Sequence, residues 1–114
     1  MNPIVRWFHQ LGSPPTFDRF AARWSRVFYL AAVPVLLVGI WQALLVVPPE
    51  ARQLDSFRIL YIHVPSAWMS LFVFALMALY AAIALIWRIK VCEILAMACA
   101  PMGAGFTLIT LLTG

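Results

Sequence analysis

Three long stretches almost free of charge dominate this 114-residue sequence and constrain it more than any other feature. The first, 27–47, reads VFYLAAVPVLLVGIWQALLVV. The second begins at Pro65 or Trp68 and ends at Trp87, and the third begins at Val91 or Ile94 and runs to Gly114. At about 1.5 Å of rise per residue the first stretch reaches roughly 31 Å, the thickness of a bilayer's hydrocarbon core. In lipid a continuous apolar segment must satisfy its backbone internally, so each stretch is expected to be a helix. Continuous runs, without strict alternation, also exclude a β-barrel. The expected fold class is therefore all-α: a polytopic membrane protein with three transmembrane helices. Only 11% of the residues are charged and 65% are hydrophobic. An ordinary soluble domain is about 25% charged, and a disordered chain needs still more charge and less apolar surface.

The few charges set a direction. Eight Lys/Arg face four Asp/Glu, a net charge of +4. Such a balance could suit nucleic acid, but there is no basic face, only short polar connectors, so no nucleic-acid partner is expected. The tail, 1–26, carries Arg6, Arg19, Arg23 and Arg26, and the connector 88–92 carries Arg88 and Lys90. The connector 48–64 carries Arg52 and Arg58, offset by Glu50 and Asp55. The positive-inside rule then predicts a cytoplasmic N-terminus, spans at 27–47, 65–87 and 93–114, and an outward-facing 48–64 connector. Trp24, Phe28, Tyr29, Trp68 and Trp87 fall at the predicted interfaces, where aromatic rings collect. Span one starts too far in and runs too long for a cleavable signal peptide, and no small-residue cleavage site follows it.

Within the spans, Pro34 and Pro101 each remove a helical hydrogen bond and are expected to kink their helices. Span three places Cys92, Ala96, Ala100 and Ala104 at spacing four, with Cys99, Gly103 and Thr107 beside them. Small residues so spaced let helix backbones approach, so this is expected to be a packing surface. Cys92 and Cys99 form neither a redox motif nor a covalent haem-attachment motif and are expected to be reduced and structural. No Walker A loop, Ser-His-Asp set, paired carboxylates or His-x-x-His occurs, so no enzyme is expected.

Two histidines remain. His9 lies in the tail and reads as a solvated or interfacial residue. His63 lies in FRILYIHVPSAW, at the outer end of span two. Pro65 suits a first helical turn and pushes Val64 toward extended backbone, which predicts a helix starting at Pro65 with His63 just ahead of it. The positive end of the helix dipole disfavours a second positive charge there, and neutral imidazole is the metal-binding form. Two readings stay open on the residues alone: an interfacial polar side chain, or a functional group that ligates a metal or haem or relays protons. In the functional reading Tyr61 and Trp68 could flank a flat apolar ligand, and Arg58 could pair with an anionic group such as a propionate.

The stretch FRILYIHVPSAWM resembles the first periplasmic histidine segment of the haem exporter protein C family, CcmC, of cytochrome c maturation. LGSPPTF, the end of span one at Val47-Pro48-Pro49, and ACAPMGAGFTLITLLTG resemble the same family in order and spacing, so the resemblance covers essentially the whole chain. It implies a six-helix protein of the bacterial inner membrane with a cytoplasmic N-terminus. Such a protein handles haem b at the periplasmic face and passes it to the chaperone CcmE, working with CcmA, CcmB and CcmD. The resemblance further implies that His63 is one of two axial haem ligands, its only metal contact being the haem iron.

The chain departs from the family pattern near Gln53 to Asp55. It also stops where the family continues into a tryptophan-rich WWD segment, and Trp7, Trp24, Trp41, Trp68 and Trp87 are scattered. It is thus expected to be an N-terminal half. Haem b is expected to bind transiently and not to be retained by these residues alone, because six-coordinate haem needs a second axial ligand. The expected function is haem handling for c-type cytochrome biogenesis, by ligation and handover. The rival is a membrane scaffold subunit without a haem site. A proton-coupled transporter would call for acidic groups in the span centres, and none is there.

Overall fold

A computed structural model describes residues 2–49, 51–52 and 55–114. Glu50 and Gln53, named above for charge balance and for departure from the family pattern, lie outside the described residues. The chain forms α1 (Pro3–Leu11), α2 (Pro14–Trp41), α3 (Leu60–Trp87) and α4 (Lys90–Thr113). A π-helical turn, Gln42–Val46, extends α2, and a 3-10 turn, Asp55–Ile59, leads into α3. The protein is an all-α, multi-pass membrane protein, and among the described residues three helical segments are long and apolar enough to cross a bilayer.

The start and stop of α2 follow prolines. Ser13 is extended (φ −86°, ψ 126°) and Pro14 and Pro15 open α2, where a missing N–H costs nothing. With its π turn α2 covers 33 residues, about 50 Å of helix. That exceeds the hydrocarbon core by several turns, so the helix runs through the predicted tail and its charged start extends beyond the apolar layer. At that transition Phe20, Trp24 and Phe28 stack along one face, with centroids 6.1 and 6.2 Å apart. The segment ends at Val47, which Pro48 holds in extended backbone (φ −69°, ψ 122°).

α3 does not begin at Pro65. It begins at Leu60, with Val64 and Pro65 inside the helix. A proline six positions in removes one hydrogen bond, to the Tyr61 carbonyl, a loss transmembrane helices tolerate. The preceding 3-10 turn supports the early start, and Phe57 meets Tyr61 edge-on at 5.8 Å. His63 is therefore inside the helix, in its first turn, and not ahead of it.

α3 and α4 form a tight antiparallel hairpin. Its turn is two residues: Arg88 in left-handed backbone (φ 54°, ψ 39°) and Ile89 extended (φ −84°, ψ 111°). The packing seam on α3 runs His63, Ser66, Ser70, Val73, Met77 and Tyr80, the 3-and-4 alternation of a helix laid against a neighbour. On α4 it runs Cys92, Ala96, Cys99, Gly103, Thr107, Thr110 and Thr113. Ala100 and Ala104, expected on the packing surface, are exposed. A strict spacing of four gains about 40° per step and winds off the seam. Cys92 and Cys99 are free thiols, half-buried in the hairpin. By contrast α2 has no buried residue among those described and meets α4 at few places.

A polar clamp sits mid-seam. Thr107 donates to the Gly103 carbonyl (2.8 Å), so the 2.6 Å contact between Ser70 Oγ and Thr107 Oγ1 has Ser70 as donor. Ser70→Ala and Thr107→Val are expected to show about 0.6–1.7 kcal/mol of coupling between helices. A double-mutant cycle on detergent-solubilised protein, read by unfolding in SDS, measures it. Strictly additive losses would show that the contact contributes nothing.

Candidate functional site at the open end of the hairpin

The end of the hairpin opposite the Arg88–Ile89 turn gathers its unusual side chains. His63, half-buried in the first turn of α3, lies with Nδ1 3.1 Å from Thr113 Oγ1 in the last turn of α4. Thr113 donates its hydroxyl proton to the Ile109 carbonyl at 2.8 Å. Gly114 closes against the same ring: a Cβ there would stand 2.8 Å from His63 Cε1 and 3.3 Å from Nδ1. The imidazole edge thus occupies the space that any larger residue at 114 would need.

This contact continues the hairpin's register. Phe74 meets Gly103, Ser70 meets Thr107, and His63 meets Thr113. A step of four on α3 is matched by four on α4, then seven by six. His63 is brought to Thr113 by the same ladder that packs the membrane-embedded part.

The other residues singled out in the sequence are placed elsewhere. Arg58, in the 3-10 turn, donates from Nη2 to the Val47 carbonyl at 3.1 Å, tying the end of the first span to the start of the second. Tyr61 and Trp68 are seven residues apart and share a face of α3. At 100° per residue that face lies some 140–160° around the helix from His63. Both are exposed, at 43% and 71%, and neither shares a helix face with the imidazole. His9 is exposed on α1. Among the described residues no three His, Cys, Asp or Glu side chains cluster as a metal site. What the geometry offers is one imidazole at the mouth of an apolar hairpin.

A family model described as "Heme exporter protein C" (CcmC) matches residues 7–114. The chain belongs to the haem exporter protein C family. Among curated relatives, the Heme exporter protein C of Haemophilus influenzae is 38% identical over 109 residues, covering 96% of this chain and 44% of that protein. The Escherichia coli K12 protein of the same name is 39% identical over 106 residues, 93% of this chain and 43% of its own length. A putative cytochrome c biosynthesis ccmC-like mitochondrial protein of Marchantia polymorpha is 37% identical over 87 residues, covering 76% of this chain and 36% of its own. The chain spans less than half the length of these relatives. No solved structure gives a significant match.

In this haem exporter protein C chain the sequence singles out His63 but not Thr113 and Gly114, the residues that lie against its ring. A signal for Thr113 was present. His63, Ser66 and Ser70 form a polar line on an otherwise apolar helix, and Thr107, Thr110 and Thr113 form another. Polar side chains repeating at helical spacing inside two adjacent spans mark the faces that meet.

Proposed function

We propose that this chain forms the haem-receiving part of a haem exporter at the periplasmic face of the bacterial inner membrane, with its N-terminus in the cytoplasm. Haem b is cargo here. His63 supplies one axial nitrogen, and the cargo passes to the chaperone CcmE, with CcmA, CcmB and CcmD as the working partners. The observation that carries the reading is the position of His63: a lone imidazole seated between α3 and α4 at the end of the hairpin farthest from Arg88 and Lys90. The basic tail and basic turn support placing that end outside. The donor set fits such cargo in part, since a half-buried imidazole suits an axial position while the second position needs a ligand from beyond His63. The mechanism is ligation and release, and no bond in the cargo changes.

Titration of the chain in lipid nanodiscs with haem, with imidazole added as a second axial ligand, tests this. Saturable binding with a shifted Soret band is expected. Haem partitioning no differently from empty nanodiscs would overturn the reading in favour of the scaffold role. The exposed α2, which lacks any buried residue, is the observation that favours that rival.

A further inference from the structure

We infer that Thr113 is a positioning residue for His63: it holds the ring in the tautomer protonated at Nδ1 and so leaves the Nε2 lone pair for a ligand. The argument is a count of protons. Thr113 has one hydroxyl hydrogen, and it is donated within α4 to the Ile109 carbonyl at 2.8 Å, with the Thr110 carbonyl 3.4 Å away. This is the usual back-bond of a helical threonine to the preceding turn. Toward His63 the hydroxyl oxygen therefore presents a lone pair, and the 3.1 Å contact forms only if Nδ1 carries the hydrogen. A neutral imidazole has one N–H, so Nε2 is then the acceptor. Among the described residues none hydrogen-bonds to Nε2.

Two features keep this geometry in place. Thr113 is at the end of α4 but still in register with the seam that packs Gly103 on Phe74 and Thr107 on Ser70. Gly114 follows so close that an added Cβ would stand 2.8 Å from His63 Cε1, so the ring is confined from a second direction. The bond also joins residues 63 and 113, so it is available only when the hairpin is closed. A metal-ligating histidine commonly gives its other N–H to a fixed acceptor, which sets ring orientation and raises ligand basicity. Here that acceptor is a hydroxyl supplied by the neighbouring span.

The tautomer is a property of the chain alone, whereas its use toward iron rests on the function proposed above. The first measurement is long-range proton–nitrogen NMR on the chain labelled at histidine with nitrogen-15, in nanodiscs and mildly alkaline buffer. His9→Gln makes the remaining signal that of His63. A protonated δ and bare ε nitrogen are expected, and an ε-protonated or evenly mixed ring overturns the inference. The second is haem titration of Thr113→Val, which keeps the shape and removes the oxygen, beside Thr113→Ser, which keeps the oxygen. The valine variant is expected to lose about tenfold in affinity, with a raised reduction potential for the bound haem, while the serine variant stays close to wild type. Unchanged affinity and potential in the valine variant would overturn the positioning role. His63→Ala separates the two ideas. If it binds haem like wild type, the ligand reading fails and the tautomer result still stands. If it loses haem while Thr113→Val is silent, only the inference about Thr113 fails.

Discussion

His63→Ala is expected to abolish saturable haem binding in the nanodisc titration. The fall should exceed the ~100-fold that loss of a supporting hydrogen bond can cost a metal ligand, because here the ligating atom itself is gone. The fold should survive. His63 is only half-buried, sits in a first helical turn, and leaves behind one hydroxyl, Thr113, that keeps its bond to Ile109. The structural loss is that of a single net hydrogen bond, about 1 kcal/mol, partly offset by alanine's better helix propensity. His9→Ala is the matched control and should bind as wild type does, since His9 is exposed on α1. His63→Gly sharpens the result: raising the free imidazole concentration should restore binding by filling both the vacated site and the second axial position. Haem binding by His63→Ala equal to wild type would remove His63 from the site.

Gly103→Leu should have the largest structural effect. Gly103 is buried at the centre of the α3–α4 seam, and a Cβ there would stand 2.9, 3.0 and 3.2 Å from Phe74 Cζ, Cε1 and Cε2. Even alanine requires the ring to give way. The ring can do so, because Phe74 is 39% exposed and can tip outward. Leucine's branched end has no such outlet and must push the two backbones apart. In a bilayer there is little hydrophobic drive to hold separated helices together, so lost van der Waals contact is lost stability. Overpacking of this kind costs about 1–3 kcal/mol, and the upper end is expected for leucine and the lower for alanine. Unfolding in SDS monitored by circular dichroism measures both. Equal stability of the leucine variant and wild type would show that the Gly103–Phe74 approach does not set the spacing of the hairpin. Since the His63–Thr113 contact is carried by the same register, Gly103→Leu should also weaken haem binding with His63 itself intact.

How much of this was legible in the sequence differs between fold and site. The three spans followed from run length and the near absence of charge, because lipid leaves a long apolar segment no alternative to helix. Boundaries were less legible. Hydropathy marks where apolar residues stop, whereas α2 continues outward to Pro14 because the backbone prefers to stay helical beyond the lipid. Pro65 misled for a related reason. Proline is best tolerated at a first turn, but a membrane helix absorbs the loss of one hydrogen bond, and the Phe57–Tyr61 contact favours an earlier start. The small-residue stripe was half legible. Cys99, Gly103 and Thr107 do face α3, whereas Ala100 and Ala104 turn away, and only the crossing of the two helices decides which line is used. At the site, His63 stood out as the histidine beside an apolar run. Thr113 did not, since a threonine in a membrane helix usually satisfies itself against its own preceding turn. Its second role exists only once the register with α3 is known. Tyr61 and Trp68 looked like flanking groups through nearness in sequence, and helical rotation sends them to the far side.

The two-residue turn between α3 and α4 carries a conflict of interests at one position. Arg88 holds a left-handed conformation that a side chain adopts at a cost of about 1–3 kcal/mol and glycine adopts freely. Judged by the folded hairpin alone, glycine would be the better residue. Yet Arg88 and Lys90 are the only basic groups between the second and third spans, and on the proposed topology they keep this turn on the cytoplasmic side while the chain is being threaded into the bilayer. Residue 88 is then answerable to biosynthesis before it is answerable to the finished structure. A search for stabilised variants scored on folded protein would select against a residue that, on the proposed topology, helps to set which way round the protein is built.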